Sequence, residues 1–236
     1  MNMFIHLLAG HLIGDFALQT GAIARMKRTS YRGLLLHVSI VCLATVPLTA
    51  FLPSGLTAAF LVCLGHLLID AVRTGPLRNL TCCTLTYFLT DQLAHLLLIA
   101  AVAFHFQPQL YDTPADFLRP YTPFDSFLLL LSALIFLTFV VPIVEAILYK
   151  DLVSGDATIH LKVTNRLRLL GSLERVTAFL LCLSPWGYLA PLVFVPHYLY
   201  RFTKSGPEPL LYRLLRPTLN MVCAFCTAWV ILTVSG

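Results

Sequence analysis

HLIGD, residues 11–15, stands inside an apolar run that extends from about residue 3 to residue 20. A histidine and an aspartate four residues apart share one helical face, one turn apart, and in such surroundings both need partners. The rest of the chain defines those surroundings. Its residues are 58% hydrophobic and 11% charged, with a mean hydropathy of +0.82, against about half apolar and about a quarter charged in soluble domains. This composition belongs in a bilayer, where a spanning helix needs roughly 20 mostly apolar residues.

Apolar runs between polar breaks predict an all-α, polytopic transmembrane bundle of about eight spanning helices, within a range of six to eight. The runs are 3–20, 34–52, 56–72, 84–106, 124–149, 172–186, 188–202 and 214–234. The sixth and seventh are the weakest, because SPWGYLAP contains Pro185 and Pro191 and reads as a turn or a kink. The chain is read as one integral-membrane domain over 1–236, with a four-helix half, 1–106, and a second half, 107–236, that carries a loop at about 150–171. The start, MNMFIHLLAG, has neither a basic leader nor a small-residue cleavage site and reads as retained helix.

Lysine and arginine set the orientation. Placing the loops around 21–33, 73–83, 150–171 and 203–213, with the adjoining helix ends that carry Arg175, Arg201 and Arg216, on one side collects 15 of the 16 basic residues, leaving only Arg119 opposite, in the acidic stretch YDTPADFLRPYTP. The positive-inside rule then puts both termini outside and these loops in the cytoplasm. The net charge of +5 is explained by this asymmetry, and no nucleic-acid partner is expected. Most of the seven cysteines sit in apolar runs and read as packing residues. Cys82 and Cys83 are adjacent, and Cys223 to Cys226 is a CxxC without the second knuckle of a metal site.

HLIGD is not alone. His66 and Asp70 in HLLID, and Asp91 and His95 in DQLAH, repeat the spacing of four, and His37 adds an imidazole near the start of the second run. At about 1.5 Å rise per residue, all of these groups fall in the cytoplasmic half of their helices. An ionisable residue at mid-membrane costs roughly 2.5–3.5 kcal/mol on insertion scales, and is retained where it meets a partner or a wet cavity. Imidazole and carboxylate are ligands of zinc and other first-row divalent ions. The preferred reading is therefore a divalent metal, zinc in the first place and manganese or iron otherwise, held by His11, His37, His66 and His95 with Asp15, Asp70 and Asp91 as ligands or orienters. Seven groups exceed one tetrahedral shell, so a mononuclear site with outer partners and a dinuclear site both remain open. A proton or ion relay, or a purely structural polar network, are the competing readings. His6 and His105 read as bystanders.

In the second half, GSLERVTAF carries Glu174 and Arg175. Glu174 is a candidate ligand or general base, with a salt bridge to Arg175 or Arg201 as its plainer role. Arg201 and Lys204, in HYLYRFTK, are candidates for an anionic head group, with positive-inside anchoring as the plainer role. The loop DLVSGDATIHLKVTNRLRLLG suggests a short interfacial helix. No phosphate-cradling glycine loop and no nucleophile elbow is present.

HLIGDFALQT, LLLHV, GHLLIDAVR and FLTDQLAHLL, in that order, resemble the bacterial membrane family called domain of unknown function 3307 (DUF3307). GSLERV and LYRF resemble its second half more loosely, and PEPLLYRLLRP, with Glu208, departs from the pattern. The resemblance implies a polytopic inner-membrane protein and picks out His11, Asp15, Gln19, His37, His66, Asp70, Asp91, Gln92 and His95. The His and Asp pattern is also similar in chemistry to membrane-bound metal-dependent hydrolases.

The expected function is a membrane-embedded metal-dependent hydrolase or transferase acting on an amphiphilic lipid or lipid-linked phosphoester from the cytoplasmic side. Asp15, Asp70, Asp91 and Glu174 are its candidate catalytic carboxylates, and Gln19, Gln92, Arg175 and Arg201 its candidate substrate contacts. The alternatives are a divalent-cation or proton-coupled transporter, and a membrane scaffold or sensor with a structural polar cluster.

Overall fold

The computed structural model of the chain describes residues 1–75, 84–150, 165–203 and 210–235. Every regular element among them is helical. In order these are α1 (Met3–Leu12), α2 (Gly21–Thr29), α3 (Tyr31–Thr49), α4 (Gly55–Thr74), α5 (Thr84–Phe106), α6 (Pro123–Ile135), α7 (Val141–Tyr149), α8 (Asn165–Cys182), α9 (Val195–Thr203) and α10 (Leu210–Ser235). A π-helical turn, Ile13–Ala17, extends α1, and a second one, Phe136–Val140, joins α6 to α7.

Among the described residues, five helical stretches are long and apolar enough to cross a membrane: 31–49, 55–74, 84–106, 123–148 and 214–235. The pair Met3–Ala17 and Gly21–Thr29, bent by 93°, makes a sixth if it counts as one span. Their side chains fit an apolar solvent, because only 28% of the α5 window and 17% of the 214–235 window is buried within the protein. Leu43, Phe60, Leu97 and Trp229 are all more than half exposed. These six stretches overlap six of the eight runs read from the sequence. The other two runs fall on α8, a 3-10 stretch at Gly187–Phe194, and α9. α8 contains Arg166, Arg168, Glu174 and Arg175, and α9 is only 9 residues long, so neither combines the length and apolarity of a span.

The stretch 21–33, read as a loop, is mostly α2. Thr20 caps it by accepting from Ile23 N, and Ser30 both ends it and caps α3 by accepting from Gly33 N. The interfacial helix expected near 150–171 lies outside the described residues up to residue 164, as do Arg78, Cys82, Cys83, Lys204 and Glu208. The five described cysteines are free thiols.

The chain divides into two compact units, Met1–Ile135 and Phe136–Val234. In the first, α3 packs on α1, α2 and α4, and α5 packs on α1 and α4. Two glycines one turn apart, Gly10 and Gly14, bring α1 against α3. A Cβ on either would stand 2.6 Å from the backbone of Thr45 or Val41, the close approach that small residues permit between membrane helices. Met3, Phe4, Leu7, Val62 and Ile99 form an apolar core under Tyr111. The second unit has its own core, around Ala178, Ala190, Phe194 and Ala224.

The start of α1 is tied down by polar bonds. Asn2 donates to the carbonyls of Asp116, Phe117 and Arg119 and accepts from Phe4 N and the Tyr111 hydroxyl. Asp125 accepts from the backbone N–H of Asn2, Tyr121 and Thr122. It also pairs with His6 Nε2 at 2.8 Å, while His6 Nδ1 meets the Leu48 carbonyl at 2.6 Å.

Candidate functional site

Each helix of the first unit buries one stripe, and the polar groups occupy its continuation. On α3 the stripe is Gly33, Leu34, His37, Val38 and Val41. On α4 it ends in Val62, Cys63, His66 and Asp70, and on α5 it begins with Phe88, Asp91, His95 and Ile99. The period of the apolar residues (3.6 per turn) therefore aims the histidines and aspartates at the same interior as the leucines. On α1 the turn that follows His11 is π-helical and contains Asp15, held by a bond from Leu18 N to the Ile13 carbonyl. Such turns insert an extra residue and re-aim side chains, frequently at functional sites.

The seven residues predicted as ligands all come together. His11, Asp15, His37, His66, Asp70, Asp91 and His95 are each at least nine-tenths buried. The ring centroids of His66 lie 5.3 Å from His37, 4.2 Å from His95 and 5.4 Å from His11. His11 and His95 stack at 5.2 Å.

The centre of the cluster is His37 Nε2. It lies 3.1 Å from His66 Nε2, 3.1 Å from Asp15 Oδ1 and 3.3 Å from Asp70 Oδ2, and the last atom is also 3.3 Å from His66 Nε2. One imidazole nitrogen offers one proton or one lone pair, so it cannot satisfy this many neighbours by hydrogen bonding. Metal–ligand bonds of about 2.0–2.1 Å set tetrahedral donors roughly 3.3–3.4 Å apart, close to the spacing seen here. Among the described residues, two sets of three could hold a cation, their ligand atoms lying within 4.8 Å of one another: Asp15 with His37 and His66, and His66 with Asp70 and His95. His66 is common to both.

His37 Nδ1, His66 Nδ1, His11 Nδ1, His95 Nε2 and both Asp70 oxygens are buried without a hydrogen-bond partner. His95 is informative because its Nδ1 lies 2.9 Å from the Asp91 carbonyl, an acceptor only. Nδ1 must donate there, which leaves a lone pair on the partnerless Nε2, the tautomer of a metal-ligating histidine.

Two basic residues counted in the sequence as topology signals belong to the site. Lys27, from α2, places Nζ 2.8 Å from Asp70 Oδ2, 3.1 Å from His37 Nε2 and 3.7 Å from Asp15 Oδ1. The approach to Asp70 is short but not aligned as a hydrogen bond, so its attraction is Coulombic. Arg73, from α4, pairs with Asp91 Oδ2, lies 4.7 Å above the Tyr87 ring and is braced by the Tyr87 hydroxyl on its carbonyl. Gln92 donates to the same Asp91 oxygen. The other predicted amide, Gln19, follows the π turn half-buried, with Oε1 enclosed and unbonded. The signal for Lys27 was available as a charge count, since the three buried aspartates of the cluster, Asp15, Asp70 and Asp91, call for cations.

The second unit holds its own polar network. Arg175 is fully buried and donates to the Leu137 carbonyl, Glu145 Oε1, Asn220 Oδ1 and Ser172. Arg216 approaches the other oxygen of Glu145 at 3.5 Å. The π turn matters here too, because Leu137 lies within it. Glu174 pairs with His197 Nδ1 at 2.7 Å, where a partner in Arg175 or Arg201 was expected. Arg201 lies on α9, and its side chain is outside the described residues. Glu145 and Asn220 were not among the predicted site residues; a carboxylate and an amide inside apolar runs were the available signal.

Residues 3–118 match the family described as Protein of unknown function (DUF3307), a segment that contains every residue of the first-unit cluster. Comparison with curated proteins and with solved structures returns no match.

Proposed function

From a chain that belongs, through residues 3–118, to the DUF3307 family, we propose a membrane-embedded metal-dependent hydrolase or transferase that acts on a lipid or lipid-linked phosphoester. The observation that carries this reading is His37 Nε2 with an imidazole nitrogen and two carboxylate oxygens within 3.3 Å. A divalent ion there, zinc first and manganese or iron next, supplies Lewis acidity to a phosphoryl oxygen and lowers the pKa of water toward neutrality. His11, His37, His66 and His95, with Asp15 and Asp70, are the donors within reach. Asp91 has a different role. Arg73 and Gln92 hold its Oδ2 while Oδ1 remains unbonded, an arrangement suited to a general base that takes a proton from the attacking hydroxyl.

The wider reading is a single membrane domain of about eight spans in a bacterial inner membrane. The short runs 172–186 and 188–202 make the sixth and seventh crossings, both termini lie outside, and the basic segments face the cytoplasm.

The test is metal content by plasma mass spectrometry on detergent-purified protein, beside His66→Ala and Asp70→Asn, followed by hydrolysis of phospholipid and lipid-linked phosphoesters. Stoichiometric metal that is lost in both variants, with metal-dependent turnover, supports the proposal. A metal-free protein after purification without chelators overturns it.

The Lys27–Asp70 contact favours one second reading, cation or proton-coupled transport, because an ammonium on a buried carboxylate is an exchangeable ion pair. Metal or proton flux into proteoliposomes, abolished by Asp70→Asn, distinguishes transport from hydrolysis.

A further inference from the structure

Lys27 is the only buried residue of α2; Arg25, Met26 and Arg28 beside it are exposed. An amphipathic helix normally buries its apolar face, so here the element is fastened at a charge. The oxygens and the nitrogen that Nζ touches, on Asp70, Asp15 and His37, are the same atoms a metal ion would use. Two cations cannot share them, because like charges a few ångströms apart in a buried setting repel strongly. Lys27 also lines an open cleft of about 210 Å³ between α2, α3 and α4, together with Arg28, Ser30, Tyr31, Ala71 and Thr74. The cleft gives a displaced ammonium somewhere to go, and Arg28 beside it makes the destination doubly cationic.

Building on the metal-centre reading above, we propose that Lys27 is a tethered cation that holds Asp15 and Asp70 until a divalent ion displaces it, and that the displaced ammonium joins Arg28 in the cleft to bind the phosphate group of the substrate. Metal loading and substrate binding are then linked through one side chain. Whatever draws Lys27 into the cleft favours the metal, and the metal in turn favours the anion, as reciprocity requires.

The experiment is calorimetric titration of the full chain in detergent with Mn2+, at matched free-metal concentration, with and without inorganic phosphate. Wild type is compared with Lys27→Met and Lys27→Arg, and melting temperatures are recorded for all three. Wild type should bind Mn2+ more tightly by about fivefold or more when phosphate is present. Lys27→Met should bind at least about tenfold more tightly than wild type without phosphate, and respond little to phosphate. It should melt lower than wild type when metal-free and regain stability with Mn2+, the ion replacing the ammonium, whereas Lys27→Arg should retain the weak affinity and the melting temperature of wild type. Wild type that binds Mn2+ with Lys27→Met no tighter overturns displacement. Tight binding by Lys27→Met with no phosphate response in wild type overturns the phosphate role of the cleft. Absence of binding in all three proteins refutes the metal centre itself.

Discussion

His37 and His66 face each other through like atoms, Nε2 to Nε2 at 3.1 Å, from α3 to α4. At most one proton fits between them, and the Nδ1 atoms behind both rings are buried and unbonded. A polar core built only to join helices would satisfy both ends of each ring, since leaving a buried polar group unmade costs about 1–3 kcal/mol. Here both Nδ1 atoms are left unmade while the Nε2 atoms crowd each other, Asp15 Oδ1 and Asp70 Oδ2.

Asp91 separates ligand from base. Asp91→Asn should keep its metal and lose roughly 10²–10⁴ in lipid phosphoester turnover, the usual worth of a positioned acid or base. Metal content and rate measured on the same preparation check this. Loss of metal would make Asp91 a ligand instead.

Gly14 governs how closely α1 and α3 approach. A Cβ there stands 2.6 Å from Val41 Cα, whereas one at Gly21 meets only Arg25 Nη1, at 3.6 Å. Gly14→Ala should lower stability by about 1–3 kcal/mol and reduce metal retention, because Asp15 is the next residue. Gly21→Ala should be neutral or stabilising by about 0.5–1 kcal/mol. Thermal melts in detergent distinguish the two.

His6 and Asp125 form a fully buried pair with no exposed side-chain surface on either partner. Removing one partner of such a pair costs about 3–5 kcal/mol. His6→Ala should therefore melt well below wild type while retaining metal, which would show that this imidazole fastens α1 to the start of α6 and takes no part in the centre. Loss of metal in a protein that still folds would bring His6 into the site.

Tyr111, between α5 and α6, gives the alkaline response. Burial pushes its hydroxyl from the ordinary 10 up to about 12. The folded state thus favours the protonated phenol, a contribution fully present below pH 10 and lost as the pH rises through 12. Stability should fall across that window, and Tyr111→Phe should remove that part of the fall while costing about 1 kcal/mol at neutral pH for the lost bond to Asn2. Melting curves at a series of alkaline pH values compare the two.

The sequence by itself determined the class of fold and most members of the buried His/Asp cluster. Composition and run length are sums over residues, so they survive without coordinates, and they led to an all-helical chain with apolar spans. The spacing of four in HLIGD, HLLID and DQLAH is also local, because a helix converts it directly into a shared face. What only the tertiary structure decided was which distant atoms meet. Lys27 looks like any basic residue at the end of a span, yet the 93° bend before α2 is what returns it to Asp70. Arg73 selects Asp91 over the nearer Asp70 because α4 and α5 bring those two side chains together. Glu174 takes His197, 23 residues away, over the adjacent Arg175, because the Arg175 guanidinium is bonded to Glu145, Asn220 and the Leu137 carbonyl. A charge in a bilayer must find a partner, but its identity depends on helix packing, which no single stretch of sequence contains.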